Sequence, residues 1–198
     1  MPYGYTGQNL VNQTVSNSGV FSISDVADLE KQGKFGGSLE LIEEQTYSSA
    51  VSFVDFTSIQ ENKYDVHLLQ FKDITFNALS NLRIQFYESG VLETASVYQF
   101  ARQICGVAGS FAESKSTANG QITIVNTATT TRNTNGYIYL YNLGNSSKYS
   151  FLTHQCTGGH TENTFTFGGG VLPQASVVNG IRCLAGTGSN TFTGFDIK

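Results

Sequence analysis

A chain of 198 residues with a formal net charge of −4 and only 13% charged residues is long enough to bury a substantial core and suits one β-rich domain with or without an appendage. Its abundant Gly, Asn, Thr, Ser, Tyr and Phe are typical of strands and tight turns, so we expect an all-β protein. No Lys/Arg cluster supplies the electrostatic footprint of nucleic-acid binding, and no apolar run approaches the roughly 18 residues that span a bilayer. We therefore expect no nucleic-acid partner and no membrane insertion.

The cysteines indicate the redox compartment. Cys105, Cys156 and Cys183 are an odd and widely spaced set, which does not describe a disulfide framework. The first residues also lack the basic segment followed by an apolar one that marks a secretion signal. The expectation is a soluble protein with free thiols, made in a reducing cytosol.

The first 37 residues are predicted to form an attachment segment. Residues 1–24 carry no charged side chain, which favours either an extended arm laid along a partner or a loose chain end. A short helix is predicted over Ser24–Gly33, because Ser24 suits the N-cap and Gly33 the C′ position. Such a helix is unstable alone, so its apolar side chains are expected to dock on the sandwich or on a neighbouring subunit. These attachment residues are Phe21, Ile23, Val26, Leu29 and Phe35.

Residues 38–198 are predicted to form one antiparallel β-sandwich with jelly-roll-like connections. At its centre, residues 64–88 alternate with a period of two along two long strands joined by a polar connection. Large residues on both alternations predict that both faces of these strands are covered. Asn-Gly pairs favour type I′ hairpin turns, and three of them precede later strands. These pairs are Asn119–Gly120, Asn135–Gly136 and Asn179–Gly180.

Strand and turn signals continue to residue 197. Two segments between strands, Cys105–Asn119 and Thr127–Asn135, are small and polar and are predicted to be exposed loops suited to recognition. Strands are predicted by their alternation and their flanking turn residues. Their ranges are Leu39–Glu44, Ala50–Phe56, Tyr64–Asp73, Leu82–Glu88, Ser96–Ile104, Gln121–Asn126, Tyr137–Leu143, Tyr149–Cys156, Asn163–Phe167, Ile181–Leu184 and Thr191–Ile197.

Candidate catalytic and metal-binding residues are sparse. His154, Cys156 and His160 form an H-x-C-x3-H set, which Cys183 could approach in space. Zinc needs three or four converging ligands, and buried strand residues explain this set without a metal. No candidate nucleophile has a local motif that assigns it a base. We therefore expect no metal, no cofactor and no enzymatic activity.

A stripe of tyrosines is the strongest candidate for a binding surface. Tyr137, Tyr139 and Tyr141 occupy alternate positions, opposite Ile138 and Leu140. If the aliphatic pair faces the core, the tyrosines face outward as an amphipathic patch suited to a subunit interface or a sugar ring. The alternative is that they pair across strands with other aromatic side chains. On the first interpretation the stripe is a recognition face.

The segment SGVFSISDVADLEKQGKFGG, residues 18–37, resembles a short N-terminal element of the virion proteins of tailed bacteriophages, marine ones especially. The segments VSFVDFTSI, YDVHLLQFKDI and LRIQFYESG, followed by VNGIRCLAGTGSNTFTGFDIK, are similar to the body of small phage structural proteins. In the closing pattern Phe195–Asp196 departs from the Leu-Tyr-Gly-like residues that are usual there. The matching positions are Ile181, Leu184, Gly186, Gly188, Phe192, Gly194, Ile197 and Lys198.

The resemblance implies a β-sandwich on the exterior of a phage particle, as a capsid decoration or as a tail- or fibre-associated protein. It brings no catalytic residues to this chain. On this interpretation the protein assembles in the host cytoplasm and resides in the virion. It contacts capsid, tail or fibre subunits and copies of itself, with residues 1–37 as its anchor. A receptor- or glycan-binding module of a tail fibre, with a host surface glycan as partner, is the alternative.

Overall fold

The computed structural model describes residue 27 and residues 39–128, 132–159, 162–186 and 188–198. In these ranges the protein is all-β, as predicted, and its strands form two antiparallel sheets. None of the helical structure described there has the length and apolar character needed to cross a bilayer.

The chain divides into two compact units, Met1–Leu41 and Ile42–Lys198. The predicted arm and helix fall in the first unit, outside the described residues apart from residue 27, so they stay predictions. The same holds for all five attachment residues, which are Phe21, Ile23, Val26, Leu29 and Phe35.

The second unit contains all the described strands. These are β1 (Gln45–Tyr47), β2 (Phe53–Phe56), β3 (Val66–Phe76), β4 (Ser80–Glu88), β5 (Val91–Leu92), β6 (Tyr98–Gly106), β7 (Phe111–Asn119), β8 (Ile122–Ala128), β9 (Thr134–Tyr141), β10 (Ser150–Gly159), β11 (Asn163–Leu172), β12 (Val178–Ala185) and β13 (Phe192–Ile197). The large sheet has eight strands in the order β1-β13-β3-β9-β10-β11-β6-β7. The small sheet has the order β2-β12-β4-β5, with β8 also paired to β4.

One hydrophobic core includes side chains from both sheets. Along β3 the side chains of Leu69 and Phe71 are buried, whereas Val66 on the opposite face is 48% exposed. From the small sheet, Ile122 and Ile124 are fully buried, and their strand β8 contacts β6, β10 and β11 of the large sheet. Alternation along the strands therefore directs one face of each sheet to a shared interior.

The two strands expected at the centre of the core belong to different sheets. β3 lies in the large sheet and β4 in the small one, so the polar connection between them crosses from sheet to sheet. The prediction that both faces are covered is wrong for β3, because Val66, Gln70 and Lys72 are exposed on its outer face. The jelly-roll-like order of connections stays a prediction.

The prediction of an exposed loop over Cys105–Asn119 is wrong. β6 extends to Gly106, whose amide donates to the Ser110 carbonyl oxygen over 2.8 Å, and β7 follows at once. β7 is at the edge of the large sheet, where small polar side chains are in contact with water, so its composition is that of a loop. The second predicted loop, Thr127–Asn135, is shortened by β8 and β9. Residues 39–44 form no strand.

Two of the three Asn-Gly pairs do not make turns. Gly136 lies inside β9, where a Cβ atom would come within 2.4 Å of the Gln155 carbonyl oxygen and 2.6 Å of the Cys156 Cβ. Gly180 lies inside β12 at a register shift beside β4. These glycines permit close approach of neighbouring strands, not the positive φ of a hairpin turn. Asn119 ends β7 and Gly120 follows it before β8, but β7 and β8 belong to different sheets, so this pair does not close a hairpin.

Candidate functional site

The outer face of the large sheet carries the predicted tyrosine stripe. On β9 the side chains of Ile138 and Leu140 are 0% and 1% exposed, whereas Tyr137 and Tyr139 are each 37% exposed. Period-two alternation along the strand produces this separation. The tyrosines therefore face outward, as the first interpretation of the stripe requires.

Phenylalanines on the next two strands extend the stripe into a surface. Phe151 on β10 is the register partner of Tyr141 on β9. Gln155 on β10 is the register partner of both Tyr137 on β9 and Phe167 on β11. The exposed fractions of Phe151, Phe165 and Phe167 are 43%, 51% and 52%. We call this surface the outer aromatic face; it consists of Tyr137, Tyr139, Tyr141, Phe151, Phe165 and Phe167.

The tyrosine rings are held in place by each other and by neutral polar groups. The ring centroids of Tyr137 and Tyr139 lie 5.6 Å apart edge to face, and those of Tyr139 and Tyr141 lie 6.5 Å apart and stacked. The Tyr137 hydroxyl donates to Gln155 Oε1 over 2.7 Å, and the Tyr141 hydroxyl lies 3.3 Å from Thr153 Oγ1. These ring contacts run along β9, and the alternative of cross-strand aromatic pairing describes only Tyr141, which stands opposite Phe151.

The centre of the outer aromatic face is uncharged. Strands β9, β10 and β11 contain no Asp, Glu, Lys or Arg. Charged side chains lie farther out on the sheet, with Lys72 on the adjacent strand β3 and with Glu113 and Lys115 on the edge strand β7. An aromatic centre without charge and a charged rim is the composition of a protein–protein interface.

A groove opens at one end of the tyrosine stripe. It has a volume of about 290 Å³ and is lined by residues with aromatic, amide, carboxylate and ammonium side chains. This combination offers both a stacking surface and hydrogen-bonding groups to a polar ligand. Its lining residues are Gln70, Phe71, Lys72, Gly136, Tyr137, Asp196 and Lys198.

The inner face of the large sheet buries two ionisable side chains among its apolar ones. Arg102 on β6 and His154 on β10 are register partners of Gly168 on β11, and they are only 6% and 4% exposed. Arg102 Nη1 donates to the Ile124 carbonyl oxygen over 3.4 Å. Arg102 Nε and His154 Nδ1 are buried with no hydrogen-bond partner in the part of the chain that the structure describes.

Burial shifts the protonation of this interior cluster. Burial lowers the pKa of Arg102 to about 10, and burial together with the nearby Arg102 cation lowers the pKa of His154 to about 4. Burial also raises the pKa of the Cys156 thiol to about 12. At neutral pH the imidazole and the thiol are therefore neutral, and Arg102 has no carboxylate partner among the described ion pairs.

The H-x-C-x3-H set does not assemble within the described residues. His154 and Cys156 share the inner face of β10, His160 lies outside the described residues, and Cys183 is buried in β12 of the small sheet. No three His, Cys, Asp or Glu side chains converge in the described ranges to hold a metal ion.

A second surface cluster lies on the small sheet. Arg182 donates from Nε and Nη2 to the two carboxylate oxygens of Asp55, each over 2.7 Å, and from Nη2 to the Tyr87 hydroxyl over 2.8 Å. Its guanidinium also lies 3.7 Å from the ring centroid of Phe53. The hydrogen bond to Asp55 is the main cause that raises the pKa of Arg182. The polar groups of Arg182, Asp55 and Tyr87 are thus hydrogen-bonded to one another, so the cluster has a structural role.

Sequence reasoning found the tyrosines and missed the phenylalanines. The signal for Phe165 and Phe167 was their alternation within the predicted strand 163–167, but nothing assigned that alternation to the outside. Comparison with protein-family models, with curated proteins and with solved structures finds no match to this chain.

Proposed function

We propose that this protein is a structural component of a bacteriophage virion that acts by protein–protein contact and not by catalysis. In this proposal its two sheets form a jelly-roll-like β-sandwich on the particle exterior, as a capsid decoration or cement, or as a tail- or fibre-associated protein. It assembles in the host cytoplasm, contacts other virion proteins and copies of itself, and attaches through residues 1–37. The resemblance of residues 18–37 and of the closing segment to phage structural proteins supports this assignment.

The observation that carries the contact function is the exposed aromatic surface of β9, β10 and β11. The outer side of these strands presents Phe and Tyr to water, while the inner side buries aliphatic side chains together with His154 and Thr166. An exposed aromatic surface of this kind is characteristic of an interaction site, because its burial against a partner is favourable. The absence of charge at its centre fits a partner surface that is itself apolar and amide-rich.

The outer aromatic face is tested by the double variant Phe165→Thr/Phe167→Thr. Threonine keeps the strand preference and removes two half-exposed rings. In particles assembled with this variant as the sole copy of the protein, we expect its copy number to fall at least tenfold. A matched control, Leu79→Thr/Val91→Thr, removes two exposed apolar side chains outside the face. Equal incorporation of both double variants contradicts a role for the face.

The anchor is tested separately by deletion of residues 1–37. We expect the truncated protein to keep its β-sheet circular dichroism spectrum and to lose incorporation into particles. Full incorporation of the truncated protein refutes the anchoring role and leaves the outer aromatic face as the attachment surface.

A receptor- or glycan-binding module is the second candidate, and the groove beside Tyr137 favours it. A sugar ring stacked on Tyr137 can accept hydrogen bonds from Lys72 and Lys198 and donate to Asp196. We expect binding on a glycan array that Tyr137→Ala abolishes and that Phe151→Thr, on the same face but outside the groove, leaves within twofold. No binding above a scrambled control excludes this function.

A further inference from the structure

β7 presents an unpaired edge with a definite hydrogen-bonding pattern. Of the described strands it pairs with β6 alone, at the end of the large sheet. The bond from the Gly106 amide to the Ser110 carbonyl fixes which residues face β6. Every second residue of a strand directs its backbone groups to the same neighbour, so Ala112 and Ser114, like Ser110, direct theirs to β6. Phe111, Glu113 and Lys115 therefore direct theirs away from the sheet.

The other end of the large sheet offers no comparable edge. β1 has only three residues, whereas β7 has nine. The register shift between β6 and β7 lies near Asn119 and leaves the stretch from Phe111 to Ser116 regular. Long, regular edges are the ones that pair with another chain.

The charges on this edge are self-complementary. Glu113 and Lys115 lie on the outer side of β7, with side chains 68% and 69% exposed, and their charged groups are 2.7 Å apart. Two copies of β7 paired antiparallel about a two-fold axis at Ser114 place each Glu113 opposite Lys115 of the other copy. An axis at Glu113 or at Lys115 instead places like charges opposite each other, which is destabilising.

We propose that two copies of this chain pair through β7 about a two-fold axis at Ser114, which joins their large sheets into one continuous antiparallel sheet. The inference rests on the self-association included in the proposed function and identifies its interface. Glu113 of one copy and Lys115 of the other exchange backbone hydrogen bonds, so the two central pairs supply about four such bonds. The outer aromatic faces of the two copies then lie on the same side of the joined sheet.

The affinity follows from the size of the contact. Pairing of single edge strands buries less than the roughly 1,200 Å² at the lower end of standard specific interfaces. We therefore expect a monomer–dimer equilibrium that depends on protein concentration and that light scattering during size-exclusion chromatography detects over a concentration series.

Charge reversal tests the register. Glu113→Lys and Lys115→Glu each place like charges opposite each other in the dimer, and because both side chains are exposed, each variant should fold. We expect either single variant to self-associate at least tenfold more weakly than the wild type. An equimolar mixture of the two variants should dimerise, because each Lys then faces a Glu of the other chain. The double variant Glu113→Lys/Lys115→Glu should dimerise as the wild type does.

A crosslink tests the axis. In a Cys105→Ser background, Ser114→Cys places two thiols directly opposite each other across the axis, with Cα atoms about 4.5 Å apart, within disulfide range. Ala112→Cys is the matched control, since its two copies lie four residues out of register. We expect mild oxidation to crosslink only the Ser114→Cys variant.

Three results overturn the proposal: a wild type that stays monomeric throughout the concentration series, a dimer that tolerates the single charge reversals, or a mixture of the two variants that stays monomeric. None of these results contradicts the proposed role of the outer aromatic face, because particle incorporation of Phe165→Thr/Phe167→Thr tests that role independently.

Discussion

Both faces of the large sheet depart from a simple division into an apolar inner side and a polar outer side. Along β10 the inward positions include Ser150 and His154 beside the apolar Leu152, and the outward positions begin with Phe151. On β11 the inward Thr166 is 1% exposed, while Phe165 and Phe167 on the other side are more than half exposed. A sheet with one side permanently in water ordinarily places its aromatic side chains inside and its polar ones outside. The outer side therefore carries aromatic area suited to burial, and the inner side contains, among its aliphatic side chains, a few groups that are costly to bury.

The outer face of the small sheet provides the reference case. There Phe53 and Tyr87 are also at the surface, but Arg182 covers Phe53 and bonds to Tyr87 and Asp55. Aromatic side chains on that surface are thus engaged within the protein. On the large sheet the rings contact one another and neutral amides or hydroxyls, which leaves their area available to a partner.

The largest predicted effect concerns the inner face and acidic pH. The pKa of His154 is about 4 in the folded protein and 6.5 as the reference value, so the unfolded chain binds the extra proton between these limits. The contribution of the neutral His154 to stability is thus fully present above pH 6.5. It is lost as the pH decreases, so the free energy of unfolding falls by about 3 kcal/mol at pH 4 because of this residue. In the His154→Gln variant, the difference in the free energy of unfolding between pH 7 and pH 4 should lose this contribution. Urea unfolding at both pH values measures the difference.

His67 is the internal control for that measurement. Its pKa is also lowered by burial, and its Nε2 lies 2.7 Å from the Ile59 carbonyl oxygen. The His154→Gln variant should therefore keep a residual loss of stability in acid. An unchanged difference between pH 7 and pH 4 shows that His154 is accessible to protons in the folded state.

The next effect concerns the small sheet. Arg182→Ala leaves Asp55 partly buried without its bidentate partner, and we expect a loss of about 2 kcal/mol in the free energy of unfolding. Arg182→Lys keeps the charge but bonds only one carboxylate oxygen well, so its loss should be smaller. Denaturant unfolding at pH 7 measures both. If Arg182→Ala lowers the free energy of unfolding by less than an ordinary surface substitution does, the cluster does not hold the rings of Phe53 and Tyr87 in place.

A smaller and opposite effect is expected from the buried cation. Arg102→Met keeps the length of the side chain and removes a charge that has no described carboxylate partner, so stability at pH 7 should rise by about 1 kcal/mol. The same change removes the cation that lowers the pKa of His154, so the acid-dependent loss should decrease. A destabilised variant indicates that the bond to the Ile124 carbonyl outweighs the cost of burial.

The smallest effect on stability is expected at the outer aromatic face. Phe165→Thr and Phe167→Thr should each change the free energy of unfolding by no more than about 0.5 kcal/mol, in line with other exposed positions. Thermal unfolding of the isolated protein measures this directly. A loss of several kcal/mol shows that the rings stabilise the folded chain itself, which removes the reason to assign them to a partner.

The sequence was sufficient for the all-β class and for the orientation of Tyr137, because alternation along one strand is a local property. It was insufficient for β7, because this edge strand has no fully buried side and its sequence therefore lacks the alternation of apolar and polar residues that predicts a strand. It also misassigned Gly136, because a glycine that permits close approach and a glycine that permits positive φ look alike in a sequence. The polar cluster of Arg102 and His154 depends on the register of β6 against the consecutive strands β10 and β11, which are distant from it in the chain, and no local pattern encodes that register.

Cys105 has a practical consequence for chemistry in solution. It is partly exposed and stands in register with the exposed rings of Phe165 and Phe111, whereas Cys156 and Cys183 are buried and burial raises both of their pKa values to about 12. Thiolates are the reactive species, so an alkylating reagent at neutral pH should modify one site per chain. Protection of that site from the reagent then reports, without any engineered label, when the surrounding surface becomes covered.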